Sequence, residues 1–348
     1  MTSGTVEWIN RANRTRSEVE GAIALFERST GTSLHWVAKH HLVGGSGQSE
    51  DPFPRVEEHG GYLFGILYVP SNPADIYAEF DELVFVATHD EVLGSYSRTP
   101  RSTLDWPELF DTLSTDDVFD DLLQTGGRII VRMLKTVVKQ LVHDAENFDE
   151  QVNSSAIELG FGLDVGDAEA AVDELKAMSH RERRRLQNRA AAIRESVAAQ
   201  RKEVPLMRRV ITETESILAR LANDELDLTV DVTGTTRHLF TRELEIFVSD
   251  AYIDARHVSS LMDDIEYRLT MIRDYLKQVK DDENVAANRF TGAIASIMLL
   301  PTFIVGLYGQ NFGHIPELGW KHGYLFSWVT IAVVTVGQVW FFKRRKWL

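Results

Sequence analysis

The sequence contains no cysteine among its 348 residues. This absence excludes a disulfide framework, a thiolate zinc site and a catalytic cysteine. The chain also lacks a basic excess, because 52 acidic side chains outnumber 37 basic ones and the net charge is −15. Nucleic-acid binding depends on a basic surface, so we expect no nucleic-acid partner and a cationic one instead. No apolar run long enough for a secretory signal occurs near the N-terminus.

Two long uncharged runs lie close to the C-terminus, at residues 290–308 and 324–342. Each is about 19 residues long, which is enough to cross a bilayer as a helix. A buried core helix is the alternative for one such run, but two in succession favour a transmembrane hairpin over 290–348. The tail after the second run, KRRKWL, carries four positive charges. The positive-inside rule places this tail in the cytoplasm, and the N-terminal bulk on the same side.

Residues 1–125 mix strand and helix patterns and are predicted to form a cytoplasmic α/β domain. Residues typical of β-strands run from Gly61 to Pro70 and from Glu82 to Ser97, the second segment with a turn at His89-Asp90-Glu91. We interpret Leu34–Val43 as a further strand.

Residues 126–289 are predicted to be helical. Apolar residues recur at three- and four-residue steps from Val118 to Asn147, and a second helical stretch, interrupted or kinked at Pro205, runs from His180 to Asn223. Between Arg181 and Arg209 this stretch holds ten basic residues against three acidic ones. Such a cluster fits a patch for anionic lipid or nucleic acid. In so acidic a chain we favour a solvated helix face that balances acidic neighbours.

A long heptad pattern begins near Thr241. Steps of four and three alternate without a miss through Leu244, Val248, Ala251, Ala255, Val258, Met262, Ile265, Leu269, Ile272, Leu276 and Val279. This pattern predicts a long, supercoiled stalk helix over about residues 241–289. No proline or glycine interrupts the chain before Gly292. The stalk should therefore continue into the first apolar run as one rod of about 60 residues and 90 Å.

A short motif follows the first apolar run. Residues 308–312 are Tyr-Gly-Gln-Asn-Phe, and residues 315–318 are Ile-Pro-Glu-Leu. Together with the basic tail and the order of α/β domain, stalk and two spans, they resemble the CorA-type transporters of magnesium and other divalent cations. That family carries Tyr-Gly-Met-Asn-Phe and Met-Pro-Glu-Leu at these places. Gln310 departs from the family's methionine, as CorA-like zinc transporters also do, so the ion preference is left open.

The resemblance implies a CorA-like funnel, a homopentamer in the inner membrane of a prokaryotic cell, with Gly309, Gln310 and Asn311 as the selectivity filter. Two spans cannot enclose a water-filled path, so transport would require several copies around an axis. A backbone carbonyl at Gly309 and the side-chain carbonyl of Asn311 are neutral, hard oxygens that suit hydrated Mg2+. Mg2+ is the expected cargo and regulatory ion, with Zn2+, Co2+ and Ni2+ as further candidates. Without its flanks, the triplet would equally fit a turn that ends a helix.

A stripe of small or weakly polar residues lies on one face of the first span and just below it. Its members are Asn288, Thr291, Ala295, Leu299, Thr302 and Gly306. Such a face suits a pore lining, with Leu299 as a hydrophobic constriction that excludes water. Close packing between spans is the alternative. Pro301 lies on another face and is predicted to kink the span.

Two stalk acids are candidate ligands of a regulatory metal. Asp250 matches the aspartate with which CorA relatives bind magnesium between subunits, and Asp254 lies one turn further along. Val285 follows Asp250 by five heptads and shares its phase, so one surface would turn both toward a neighbouring subunit. A merely solubilising acid is the alternative. The resemblance also implies an acid from the N-terminal domain, for which Asp75 and Asp90 are candidates.

The resulting hypothesis is a channel for Mg2+ uptake, driven by the membrane potential and closed by cytoplasmic Mg2+ bound between acidic stalks. The alternatives are a CorA-like zinc transporter, with or without proton coupling, and a non-conducting, membrane-anchored coiled-coil scaffold. An enzyme is not expected, because the chain has no cysteine and no clear GxSxG, HExxH or phosphate-loop motif.

Overall fold

The structure is a computed structural model that describes residues 5–44, 53–71, 79–100, 102, 104–107, 126–159, 180–226, 228–232, 235–310 and 319–347. The elements in chain order are β1 (Thr5–Asn10), α1 (Arg16–Thr30), α2 (Trp36–Val43), β2 (Arg55–His59), β3 (Tyr62–Pro70), β4 (Phe80–Ala87), β5 (Glu91–Ser97), α3 (Gly126–Glu158), α4 (His180–Ala222), β6 (Thr229–Val232), β7 (Thr235–His238), α5 (Arg242–Tyr308) and α6 (Gly323–Arg344).

The N-terminal part is built on a five-stranded sheet in the order β1-β5-β4-β3-β2. β1 and β5 are parallel, and the other three pairs are antiparallel. β3, β4 and β5 confirm the predicted strands, and the N–H of Thr88 donates to the Glu91 carbonyl at 2.9 Å to close the predicted turn. All nine residues of β3 are buried, which indicates an interior strand that is covered on both faces of the sheet.

Helices cover this sheet, and one of them leads into the rest of the molecule. α1 contacts β5 and α2 contacts β4 and β5, whereas α3 contacts β3, β4 and β5. The N–H of Gly126, at the start of α3, donates to the His89 carbonyl at 2.8 Å. A methyl group at Gly126 would overlap the carbonyl oxygen of Thr88, and one at Gly127 would overlap that of Leu239. The two glycines therefore permit a close approach between α3 and two backbone segments.

Leu34–Val43 is not a strand, contrary to the prediction from the sequence. It forms α2, with His35 as the N-cap residue and Gly44 as the C-cap residue in the left-handed conformation (φ 87°). Ala38 and Leu42, four residues apart, are buried, as expected on the inner face of a short helix. The apolar residues of this segment favoured a strand. Gly44 follows them directly, and a glycine in the left-handed conformation is typical of the end of a helix.

The stalk helix α5 confirms the heptad prediction. It runs 67 residues without a break, a length of about 100 Å. Every residue of the predicted seam from Leu244 to Val279 is buried. α3 and α4 of the same chain both contact α5, so helices of this chain fill the seam.

Polar contacts fix the register between α3 and α5. Lys135 Nζ on α3 lies 2.6 Å from Asp250 Oδ2 on α5. Further along, Arg268 on α5 binds the side chains of Asp149 and Asn153 on α3. These contacts join residues 115 to 119 positions apart in the chain. The two helices therefore run parallel.

The helix α4 runs antiparallel to α5 and confirms the second predicted helical stretch. Arg208 pairs with Asp263 on α5 at 2.7 Å, and Arg194 donates to the Leu276 carbonyl at 3.3 Å. The helix continues through Pro205, which is exposed, so the predicted interruption is absent. At Arg208 the basic stretch balances acidic neighbours, as the interpretation of a solvated face expects.

A short hairpin of β6 and β7 joins α4 to α5 and was not predicted. Each strand has only four residues, too few for a clear two-residue periodicity.

The C-terminal part of α5 and the helix α6 pack together as an apolar hairpin. Both helices are long and apolar enough to span a membrane, and only 6% of the most apolar window of each is buried within the chain. Ala293 on α5 is fully buried, and Gln338 Nε2 on α6 donates to the Ser296 carbonyl at 2.9 Å. The two apolar runs are thus helices, as predicted, with a small residue at the buried position of the first.

Candidate ion pathway

The predicted filter begins where α5 ends. Gly309 caps the helix, and its N–H donates to the Val305 carbonyl at 2.9 Å. Gly309 and Gln310 are both exposed. Asn311 lies outside the described residues, as does the Ile-Pro-Glu-Leu segment at 315–318. The three-residue filter therefore stays a prediction.

The chemistry of this end of α5 favours a cation. The last four carbonyl groups of an α-helix have no intrahelical donor, and the helix dipole is negative at its C-terminus. Several such ends around one axis would point neutral oxygen ligands at a single point, which suits a hydrated Mg2+ ion.

The predicted pore stripe does not pack against α6. All six of its members are exposed in the chain: Asn288, Thr291, Ala295, Leu299, Thr302 and Gly306. The face of α5 turned toward α6 is instead marked by the buried Ala293 and by Ser296, which accepts the hydrogen bond from Gln338. Packing between the two spans of one chain therefore does not account for the stripe.

Two members of the stripe have properties that matter for a hydrated ion. The side chain of Leu299 is 69% exposed, so it is free to meet its copies around an axis. Thr302 Oγ1 donates to the Met298 carbonyl at 2.7 Å. Because its proton is used within the helix, the Thr302 oxygen is left to accept hydrogen bonds from the water shell of a cation.

The predicted regulatory acids lie on the outer side of the stalk. Asp250 and Asp254 are exposed, and the carboxylate of Asp250 is bound by Lys135. Asp90 is exposed in the turn between β4 and β5, and Asp75 lies outside the described residues. Within the described part of one chain, no group of three histidine, aspartate or glutamate side chains is placed to hold a metal. The regulatory site therefore stays a prediction.

Two polar residues of note were missed from the sequence. Asp144 on α3 is only 3% exposed, and burial raises the pKa of this carboxyl to about 7 although Gln140 donates a hydrogen bond to it. The second residue is Gln338, which could have been noticed in the sequence because it is a glutamine within an apolar run. For Asp144 the signal was an acid on the apolar face of a periodic helix.

A family model described as the CorA-like Mg2+ transporter protein matches residues 34–344. The chain belongs to this family. It is a family of divalent-cation transporters and not of enzymes.

Curated relatives match parts of this CorA-family chain. It is 39% identical over 74 residues to the magnesium transport protein CorA of Helicobacter pylori, and 42% identical over 74 residues to the cobalt/magnesium transport protein CorA of Thermotoga maritima. Each match covers 21% of this chain and 23% or 21% of the relative. The zinc transport protein ZntB of an Enterobacter species is 26% identical over 238 residues, 68% of this chain and 62% of the relative. These alignments span less than two thirds of the relatives' length.

Solved structures share the fold. The CorA magnesium transporter of Methanocaldococcus jannaschii superposes with a TM-score of 0.61 at 16% identity, over 99% of this chain and 91% of that one. The full-length CmaX protein gives a TM-score of 0.52 at 18% identity, over 98% and 88%. The predicted fold class of α/β domain, long stalk and two C-terminal apolar helices is thereby confirmed.

Proposed function

We propose that several copies of the chain, five by the family resemblance, surround an axis and form a pore that carries Mg2+ into the cytoplasm. The observation that carries this proposal is the exposed stripe on α5. It lies on a membrane-spanning helix, turned away from α6, and its members are small or weakly polar. In a lone hairpin it would face lipid, whereas around an axis it would face water.

A second line of support comes from the stalk. Three large apolar side chains, Ile246, Ile253 and Tyr267, are exposed on α5 at multiples of seven residues. The buried seam of α5 keeps strict heptad phase for five repeats, so residues seven apart on the opposite side also keep their orientation. Exposed apolar residues in one phase favour contact with another chain. Asn288 continues the same phase into the span.

The driving force needs no ATP. A divalent cation that moves inward down the membrane potential gains roughly 4.6 kcal/mol per 100 mV, from about 2.3 per elementary charge. Apart from the tail KRRKWL, the chain carries about −19, and in the proposed topology this charge lies in the cytoplasm. Mg2+ bound between stalks at Asp250 and Asp254 would neutralise part of it and hold the closed state. Loss of Mg2+ would let like charges separate the stalks.

Zinc transport is the second candidate. Gln310 departs from the methionine of the magnesium-type motif, and the ZntB relative matches a larger share of the chain than the CorA relatives do. The two candidates share the pore and differ in the ion that the filter passes.

Flux into proteoliposomes that contain the full-length protein separates these functions. Mg2+ and Zn2+ are offered alone and in competition, at zero and at millimolar internal Mg2+. We expect Mg2+ entry that internal Mg2+ suppresses, and zinc entry alone would assign the second candidate.

The variant Asn311→Ala should abolish uptake and leave the assembly intact. Its matched control, Asn188→Ala on the exposed face of α4, should leave both uptake and assembly unchanged. A particle that is monomeric in the bilayer, or that passes no divalent cation, would leave the scaffold as the remaining hypothesis.

A further inference from the structure

Serine, threonine and glutamine supply four polar side chains to the apolar helix α6, and one of them behaves differently. Ser327, Thr330 and Thr335 each donate to a carbonyl of α6 itself at 2.8–2.9 Å. Gln338 instead donates from Nε2 to the Ser296 carbonyl of α5 at 2.9 Å. A hydroxyl bonded within its own helix is satisfied without a partner in hydrocarbon, whereas this carboxamide depends on the neighbouring span.

The acceptor lies in the turn of α5 that Pro301 disturbs. Proline has no N–H, so the Ile297 carbonyl loses its donor four residues on, and the proline ring crowds that carbonyl. The next carbonyl, of Met298, receives a bond from Thr302 Oγ1. The preceding carbonyl, of Ser296, receives the bond from Gln338. Side chains thus bind the two carbonyl groups that flank the one left without its backbone donor.

This same turn carries the side chain proposed as the constriction. Leu299 lies between Ser296 and Pro301, and the residue is 69% exposed in the chain. Movement of α6 that pulled on the Ser296 carbonyl would move Leu299 with it, because one helical turn joins them.

We propose that Gln338 is a positioning residue of the ion pathway: its hydrogen bond holds α6 to the turn of α5 that precedes Pro301 and so sets the position of Leu299. The proposal rests on the proposed function, in which α5 lines the pore. A change in the tilt of α6 would reach the constriction through this one hydrogen bond as well as through apolar contact.

The remaining atom of the carboxamide argues against a purely stabilising role. Gln338 Oε1 is buried and has no hydrogen-bond partner within the described residues. A buried acceptor of this kind is unfavourable, and a methionine would fill a similar volume without it. The glutamine therefore makes its one hydrogen bond to α5 at the cost of burying Oε1, and a residue that served only for packing would avoid this cost.

The test compares Gln338→Met with Thr335→Val in the full-length protein in lipid. The first variant removes the bond between spans at nearly constant side-chain length. The control removes a polar group of α6, one turn away, that bonds only within its own helix. Two readouts are taken: cation flux as a function of internal Mg2+, and hydrogen exchange of the backbone at residues 294–304.

We expect Gln338→Met to speed exchange at 294–304 and to shift flux, or the internal Mg2+ that halves it, by about three- to fifteen-fold, the range that measured hydrogen bonds between spans imply. Thr335→Val should match the parent in both readouts. Faster exchange with an unchanged flux profile would show that the hydrogen bond exists but does not act on the ion pathway. Unchanged exchange would show that the hydrogen bond does not restrain this part of α5. Either result overturns the proposal. A parent protein without flux overturns the proposed function as well. Hydrogen exchange then still reports whether the bond between Gln338 and α5 exists.

Discussion

Asp144 is a buried carboxyl group of the helical bundle, and it should make the protein less stable as the pH rises. It lies on α3, 3% exposed, with Gln140 donating to Oδ1 at 3.2 Å and no partner for Oδ2 within the described residues. The register of α3 against α5 places it level with residues 259–263 of the stalk, where Met262 is fully buried. Burial therefore keeps water from it, and no cation among the described residues is seen to pair with it.

The magnitude follows from the pKa, which burial raises from 3.8 to about 7. A raised carboxyl pKa means that the folded protein holds the proton more tightly than the unfolded chain. This contribution to stability is present below pH 3.8 and is lost as the pH rises to 7. The full loss is about 4 kcal/mol, at 1.36 kcal/mol for each pKa unit. About 2 kcal/mol of it falls between pH 5.5 and pH 8.

The assay is thermal unfolding of the full-length protein in lipid, measured for the parent and for Asp144→Asn at pH 5.5 and pH 8. The variant cannot ionise, so its gain over the parent should be larger at pH 8 by about 2 kcal/mol, or roughly 4–8 °C in the unfolding midpoint. Any fixed cost of the amide cancels in this comparison. Glu146→Gln, an exposed acid on the same helix, should change stability by less than about 0.5 kcal/mol at either pH. An equal gain at both pH values would refute the reasoning.

Three further variants test the packing, the stalk contact and the constriction. Gly126→Ala would force a methyl group into the Thr88 carbonyl and should lower the unfolding free energy by about 2–4 kcal/mol. Its control, Gly21→Ala, has open space around it and should raise the unfolding free energy by up to about 1 kcal/mol. Thermal unfolding of both variants distinguishes crowding from a general effect of alanine. Ile253→Asp should dissociate the assembly and leave the protomer folded, since its side chain is 64% exposed in the chain, and native mass spectrometry checks both. Leu299→Ala should raise flux at high internal Mg2+, because a smaller ring excludes water less well, and a flux still fully suppressed there would count against the constriction.

The stalk was predictable in detail because its pattern is long. Eleven apolar positions in strict heptad phase leave one helical face to bury, and all eleven are buried in α5. The partner of that face was not predictable. A heptad seam indicates that helices pack along it but not from which chain they come, and here α3 and α4 of the same chain fill it.

The error at Leu34–Val43 shows why short elements are harder. An eight-residue helix has about two turns, so its buried face consists of Ala38 and Leu42 alone. Two positions cannot establish a period of 3.6 residues against a period of two. Gly44, at φ 87°, was the stronger signal, since a glycine after an apolar run is typical of a helix C-terminus.

The contacts of the candidate site were beyond sequence reasoning for a different reason. Lys135 and Asp250 are 115 residues apart, and Gln338 and Ser296 are 42 apart. Each pair meets only because two helices adopt one register, which many apolar contacts set jointly. The polar residues were visible in the sequence, and their partners were a property of the packing.

The contact at Asp250 bears on how the proposed regulation would work. Because helices of the same chain fill the seam of α5, a regulatory cation must bind on the outer face of the stalk, where Asp250 already holds Lys135. The two side chains are 58% and 42% exposed, so their ion pair is worth at most about 1 kcal/mol and is readily exchanged. If Asp250 takes part in a site between chains, Mg2+ and Lys135 are alternative partners of one carboxylate. Binding of the metal would then free a cation on α3, the helix that begins against the sheet, and occupancy of the stalk would be felt in the α/β domain as well as in the pore.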